Sequence, residues 1–152
     1  MLSKKLSEEL SKIVIKKLSS KAEIAPIFSI LTQHHKHINK ADFLKYIDEI
    51  LAEKNYQMIA GYIDDQMIGI AGYWILTRFY SGKYIQVGNM VIDENFRSLG
   101  VGKKILSFIE TEGKQQQCQH LILDSRLDNK KSHNFYLREG FEIMGYHFMK
   151  DI

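Results

Sequence analysis

The chain is poor in the residues that would tie it to an oxidising compartment, a linker or a membrane. Its single cysteine, Cys118, cannot close an internal disulfide. No ligand partner stands at a metal spacing from it, so Cys118 reads as a small buried hydrophobe or a reactive thiol. One proline, Pro26, and ten glycines leave no Pro/Gly-rich tract to separate domains. Net charge is +3, from 21 basic and 18 acidic residues, too small an excess to argue for nucleic acid. Lys12, Lys16, Lys17 and Lys21 cluster near the start, where a solvated face explains them. The longest apolar stretch, residues 67–76, falls short of the roughly 20 residues a bilayer span needs. Residues 1–10 are too charged for a signal-peptide core, so a soluble cytoplasmic protein is expected.

What is present suits a packed domain. Of the 152 residues, 45% are hydrophobic, 11% aromatic and 26% charged, which excludes disorder, collagen-like repeats and a disulfide-stapled miniprotein. No internal repeat divides the chain, and the length predicts one domain over residues 1–152. Residues 13–18 read as a strand on β-branched content. Ile24, Ile27, Phe28 and Leu31 recur at helical spacing over residues 22–37, with Pro26 tolerated in the first turn. A second helix over residues 41–53 carries Phe43, Leu44, Ile47, Ile50 and Leu51. Residues 56–63 and 67–80 form a hairpin across an Asp-rich turn, and residues 83–92 add a third antiparallel strand.

After residue 92 the texture changes. A polar loop over residues 93–99 leads into a helix carrying Val101, Ile105, Phe108 and Ile109 on one stripe, which Gly113 can end. Residues 120–123 read as a strand buried on both faces, parallel to the one before the helix because a crossover joins them. Asp128 or Asn129 can cap a further helix that Gly140 terminates. Residues 141–144 and 146–149 read as final strands.

Between strand and helix stands Arg97-Ser98-Leu99-Gly100-Val101-Gly102. Glycine lets backbone amides approach an oxyanion without a Cβ in the way, and a helix start adds unpaired N–H groups. With Arg97, Lys103 and Lys104 nearby, this is chemically a phosphate cradle; an ordinary strand–helix turn would also use two glycines. A P-loop needs Gly at 97 and Ser or Thr at 104, where Arg97 and Lys104 stand. A Rossmann fingerprint needs a small residue at 105, where Ile105 stands, although Asp124 lies at a suitable distance.

The third phosphate motif, Arg/Gln-x-x-Gly-x-Gly/Ala, does fit. The segment from Met90-Val91-Ile92 through Arg97-Ser98-Leu99-Gly100-Val101-Gly102 resembles the acyl-CoA-binding segment of the GNAT superfamily of N-acetyltransferases. Asn129, Tyr136, Gly140 and Phe141 resemble that superfamily's Asn-x6-Tyr-x3-Gly-Phe helix, and the two motifs stand in the right order. The match covers about residues 86–149; the earlier part is compatible with it. Leu123-Asp124-Ser125, His133-Asn134-Phe135-Tyr136 and His147-Phe148 also resemble a bacterial-type, functionally undefined branch.

The resemblance implies an α+β fold: a mixed, mainly antiparallel sheet of about seven strands, four helices, and one βαβ unit carrying the acyl-CoA site. It implies acetyl transfer from acetyl-CoA directly to a primary amine, on a small molecule or a peptide, with no metal. A bulge in the strand ending at Ile92 would expose backbone groups of Met90, Val91 and Ile92 to the pantetheine arm, which joins like an added strand. Arg97, Ser98, Leu99, Gly100, Val101, Gly102 and Lys103 would wrap the pyrophosphate. Asn129 would contact pantetheine or phosphate, or serve only as a helix cap. Tyr136 would donate to the departing sulfur; a packed aromatic beside Phe135 is its other reading. Homodimerisation is a family habit.

The general base does not carry over. Relatives place Glu or Asp on the strand corresponding to residues 83–92, where this chain has Gln86 and Asn89. Asp93 and Glu94 fall in the loop beyond, and Asp124 is either a base or a structural partner. Six histidines, with His34, His35 and His37 together, lack partners at a ligand spacing and suit a helix C-terminus; His133 and His147 read as packing or bonding locally. Phe79, Tyr80 and Tyr84 read equally as pocket wall or core. A silent acyl-CoA-binding domain is the competing function, supported by the missing carboxylate; a nucleic-acid module lacks the interleaved aromatics of a stacking surface. Neither a membrane nor a nucleic-acid partner is expected.

Overall fold

Strands rich in Ile, Val and Tyr cannot bury both faces alone, and here helices cover them. The computed structural model of the protein describes residues 2–152; Met1, where the charged N-terminal stretch begins, lies outside them. The elements are helix α1 (Leu2–Ser11), strand β1 (Val14–Leu18), helices α2 (Lys21–Ile24), α3 (Phe28–His34) and α4 (Lys40–Leu51), then strands β2 (Tyr56–Ile63), β3 (Gln66–Arg78) and β4 (Gly82–Ile92). Helix α5 (Val101–Gln115), strand β5 (His120–Leu123) and helix α6 (Lys130–Arg138) complete them. Residues up to Ile122 form one compact unit and residues Leu123–Ile152 a second.

In the first unit the strands run in the order β1-β2-β3-β4-β5. The first four pair antiparallel. β5 lies beside β4 after the α5 crossover, and the two start together: the Gln119 N–H donates to the Lys83 carbonyl at 2.7 Å. Met58, Ala60, Ile70 and Val91 face one side and form a core with Ile30 and Leu31 of α3 and Phe43 and Ile47 of α4. The opposite face takes α5. A Cβ on Gly69 would meet Ile105 and Val101 at 3.1 and 3.2 Å, so glycine there lets the helix lie close to the sheet. Val101, Ile105, Leu106 and Ile109 are all buried.

The two halves of the expected helix 22–37 are α2 and α3, joined by the 3-10 turn Ala25–Ile27 with Pro26 in its first turn. Ser20 and Glu23 form a reciprocal capping box at the start of α2. Three of the N-terminal lysines, Lys16, Lys17 and Lys21, are on the surface but engaged. Lys17 meets Glu112 of α5 at 2.7 Å, Lys21 meets Asp48 at 2.7 Å, and Lys16 stands 5.0 Å over the Tyr62 ring.

Three expectations need correction. The sheet has five strands among the described residues, not about seven. Residues 141–149 form none of the strands their composition suggested; Ile143, Met144, Tyr146, Phe148 and Met149 are exposed. A strand is completed by a neighbour's hydrogen bonds, and alternating apolar residues do not supply one. Among the described residues helices number five rather than four, counting α2–α3 as one bent run, because α1 precedes the first strand.

Candidate functional site

The end of β4 is bent by one extra residue. Ile70 of β3 faces Val91 and Gly72 faces Gly88, so the single residue Ala71 opposes both Asn89 and Met90. Asn89 takes φ +53, left-handed backbone that asparagine tolerates better than most side chains. β5 has only four residues and starts level with Lys83, so at strand rise it ends before the bulge. Met90, Val91 and Ile92 therefore present to the β5 side an edge that β5 does not reach.

The chain then turns sharply into α5. Asp93 fixes the turn. Its N–H donates to the Ile68 carbonyl at 2.9 Å, and its carboxylate accepts from the Gln33 side chain and from the Asn95 N–H, each at 2.9 Å. Burial works against the charge, but those hydrogen bonds and nearby Arg97 outweigh it and hold Asp93 below the usual carboxylate range. Asp93 is thus structural, while Glu94 is exposed. Arg97 donates from Nε to the Ile92 carbonyl at 3.2 Å, and Ser98 takes φ +62.

Gly100, at φ +83, is the N-cap of α5 and offers no side-chain cap. A Cβ there would lie 2.8 Å from a terminal methyl of Leu10, which can turn aside, so it is the left-handed conformation that calls for glycine. The first-turn amides of Val101, Gly102 and Lys103 keep the N–H groups that no preceding turn can satisfy. Among the described residues, a bulged strand edge that β5 does not reach leads directly into a glycine turn and the N-terminus of a helix. Met90, Val91, Ile92, Arg97, Ser98, Leu99, Gly100, Val101, Gly102 and Lys103 all lie on this one continuous stretch.

Asn129 and Tyr136 belong to the second unit. Asn129 caps α6, accepting from the Ser132 N–H at 3.2 Å. Tyr136 packs against Phe135 and Phe141, with ring centroids at 5.3 and 5.6 Å. Burial pushes its phenol pKa up, further from ionising near neutrality. Gly140 takes φ +88 just past the helix, and the Phe141 N–H donates to the Tyr136 carbonyl at 3.0 Å. His133 contacts the Arg126 carbonyl at 2.8 Å, and His147 approaches Asp124 at 3.3 Å, so both histidines bond locally.

Sequence reasoning missed a cluster on the α4 side of the sheet. Tyr56 and Trp74 face each other across β2 and β3 at 4.6 Å between centroids. Trp74 is paired with Gln86 on β4, and its Nε1–H donates to Glu53 Oε2 at 2.6 Å. Tyr56 is pushed up to about 12, chiefly by burial; a hydrogen bond with Asn89 opposes that, and the Glu53 charge adds to it. The ring of Tyr56 occupies the space above Gly72 that a side chain there would need. The signal was the pair Gly72 and Gly88 near aromatic residues, legible only once the strand register is known.

Other candidates resolve plainly. Phe79 and Tyr80 are exposed at the tip of the β3–β4 hairpin, while Tyr84 is buried beneath the Arg78 guanidinium at 4.5 Å. Cys118 is half-buried and its thiol is pushed up, chiefly by burial. Among the described residues no group of three or more His, Cys, Asp or Glu is placed to hold a metal, and no helix is long and apolar enough to cross a membrane. His34, His35 and His37 stack edge-on, at 5.0 and 6.0 Å between neighbours, at the end of α3.

The chain is 24% identical over 141 residues to the uncharacterized N-acetyltransferase YhdJ of Bacillus subtilis, covering 92% of this chain and 99% of that protein. Among solved structures it resembles the aminoglycoside N-acetyltransferase AAC(6')-Iy in complex with CoA, with TM-score 0.81, 18% identity and coverage of 92% and 94%. It also resembles glucosamine-6-phosphate N-acetyltransferase of Arabidopsis thaliana, with TM-score 0.72, 21% identity and coverage of 91% and 97%. The profile of the acetyltransferase (GNAT) family matches residues 24–141, and the chain belongs to that family of acetyltransferases.

Proposed function

We propose that the chain works as a single acyl-CoA-dependent N-acetyltransferase domain that moves the acetyl group of acetyl-CoA directly to a primary amine of a small molecule. The observation that carries this reading is the bulge at Asn89 and Met90 leading into the glycine turn at Gly100, on one continuous segment. Bound acetyl-CoA would supply an activated thioester carbonyl to the amine nitrogen, with the CoA thiol as leaving group. In this reading Met90, Val91 and Ile92 offer backbone groups to the pantetheine amides, as an added strand would be met. Arg97, Ser98, Leu99, Gly100, Val101, Gly102 and Lys103 take the pyrophosphate on backbone N–H groups and the α5 N-terminus. Asn129 orders the start of α6 and so the helix that carries Tyr136.

Tyr136 is the acid. Its hydroxyl stays protonated because burial disfavours the phenolate, and it is suited to give a hydrogen bond or proton to a departing thiolate. The carboxylate expected on β4 is missing, since Gln86 and Asn89 cannot accept a proton from an ammonium. That absence favours one second reading, a silent acyl-CoA-binding domain. Titration of acetyl-CoA followed by thiol release over an amine panel separates the two. Binding with amine-dependent thiol release supports the enzyme; binding with no release from any amine supports the silent domain.

A further inference from the structure

Glu53 and Trp74 are unused by the chemistry above, yet they are arranged as a receptor for a cation. The Trp74 indole lies along the sheet face with its six-membered edge above Gly88, where a Cβ would come within 2.7 Å of Cζ3. Its N–H, at the opposite end of the indole, reaches Glu53 at 2.6 Å. The ring thus points its carbon edge toward the bulge and holds the carboxylate on the far side. Glu53 follows α4 and is exposed; among the described residues no lysine, arginine or histidine pairs with it. It borders a cleft of about 170 Å3 together with Tyr56, Leu51 and Met58. A carboxylate fixed by an indole donor, beside two aromatic rings in contact at 4.6 Å, suits an ammonium group by charge and by cation–π attraction.

The spacing says which ammonium. Trp74 and Ala71, the residue facing the bulge, are separated by roughly 10 Å at about 3.3 Å per strand residue. If the acyl group lies at the bulge, a cation beside Glu53 is not the reacting nitrogen. We propose that Glu53, positioned by Trp74, anchors a second, non-reacting ammonium of the acceptor, so that the substrate is a di- or polyamine. Linear polyamines and amino sugars share this chemistry. The inference rests on the reading of β4 as the acyl-donor edge, and only the spacing depends on it.

Trp74 is the sole tryptophan of the chain, so its emission reports the anchor without any acyl donor. Titration with linear diamines of graded length, with matched monoamines and with a diamino sugar gives a saturable emission change for dications only. Glu53→Gln, which keeps the shape and removes the charge, weakens that binding roughly 10- to 100-fold, the loss of one charge-assisted contact. Acetyl-CoA affinity is unchanged in this variant. In turnover Glu53→Gln raises KM for diamines by a similar factor and leaves kcat and monoamine KM unaltered; Trp74→Phe, which removes only the N–H donor and part of the ring, shifts KM in the same direction. A larger response to the sugar than to the linear diamines identifies the amino-sugar source, and the reverse identifies the polyamine. Equal binding of dications and monoamines, or an unaltered diamine affinity in Glu53→Gln, overturns the proposal. So does a fall in kcat for all amines alike, which would make Glu53 a base. Failure of wild-type acetyl-CoA binding would instead overturn the acyl-donor reading, with the emission titration still deciding the anchor.

Discussion

Trp74 lies across Gly88 so closely that a methyl group on that glycine would meet the ring at 2.7 Å. Gly88→Ala therefore forces the indole off the sheet. Overpacking of this kind costs about 1–3 kcal/mol. Chemical denaturation should show that loss, with the emission of the displaced Trp74 shifted; unchanged stability would mean the ring moves aside freely.

Asn89 holds the bulge at φ +53. Asn89→Gly keeps access to that conformation and should fold with nearly wild-type stability. Asn89→Val places a β-branched side chain in left-handed backbone and should lose about 1–2 kcal/mol. If the bulge shapes the acyl-donor edge, Asn89→Val also weakens acetyl-CoA binding, while Asn89→Gly does so much less. Calorimetry on both variants checks the pair.

Asp93 gives a pH dependence. Its folded pKa lies below the unfolded value, so its contribution to stability is full above the unfolded pKa of about 3.9 and is lost as pH falls through the lower folded value. Wild-type stability should decline more steeply than that of Asp93→Asn below about pH 4. Denaturant midpoints measured from pH 2 to 6 decide this; parallel profiles would remove Asp93 as the fastener of the turn.

Tyr136→Phe keeps the ring contacts with Phe135 and Phe141 and deletes the hydroxyl. Once an acceptor is in hand, kcat should fall ~10²–10⁴-fold with acetyl-CoA affinity little changed. Wild-type kcat in a folded variant, with chemistry rate-limiting, would leave Tyr136 a packing residue.

The segment from β4 through α5 was legible because its signals are local. A strand pattern, a glycine needed at φ +83 and an apolar stripe at helical spacing each report on adjacent residues. The same holds for α6, with Asn129 at its start and Gly140 beyond its end. The cluster of Glu53, Tyr56 and Trp74 was not legible. It depends on which residue of β2 faces which of β3, and on two glycines meeting across the β3–β4 register. The strands expected over residues 141–149 failed for the complementary reason, since apolar alternation marks a strand's faces but not its neighbour.

Acyl-CoA binding at this turn is tested most directly by calorimetric titration of acetyl-CoA into the wild-type chain and into Gly102→Val. Gly102 sits in the first turn of α5, where a branched side chain would stand against an approaching phosphate. One-to-one binding to the wild type is expected, with a large loss of affinity in Gly102→Val and a melting temperature showing that variant still folded. Equal affinity in the folded variant, or no binding to the wild type, would contradict it.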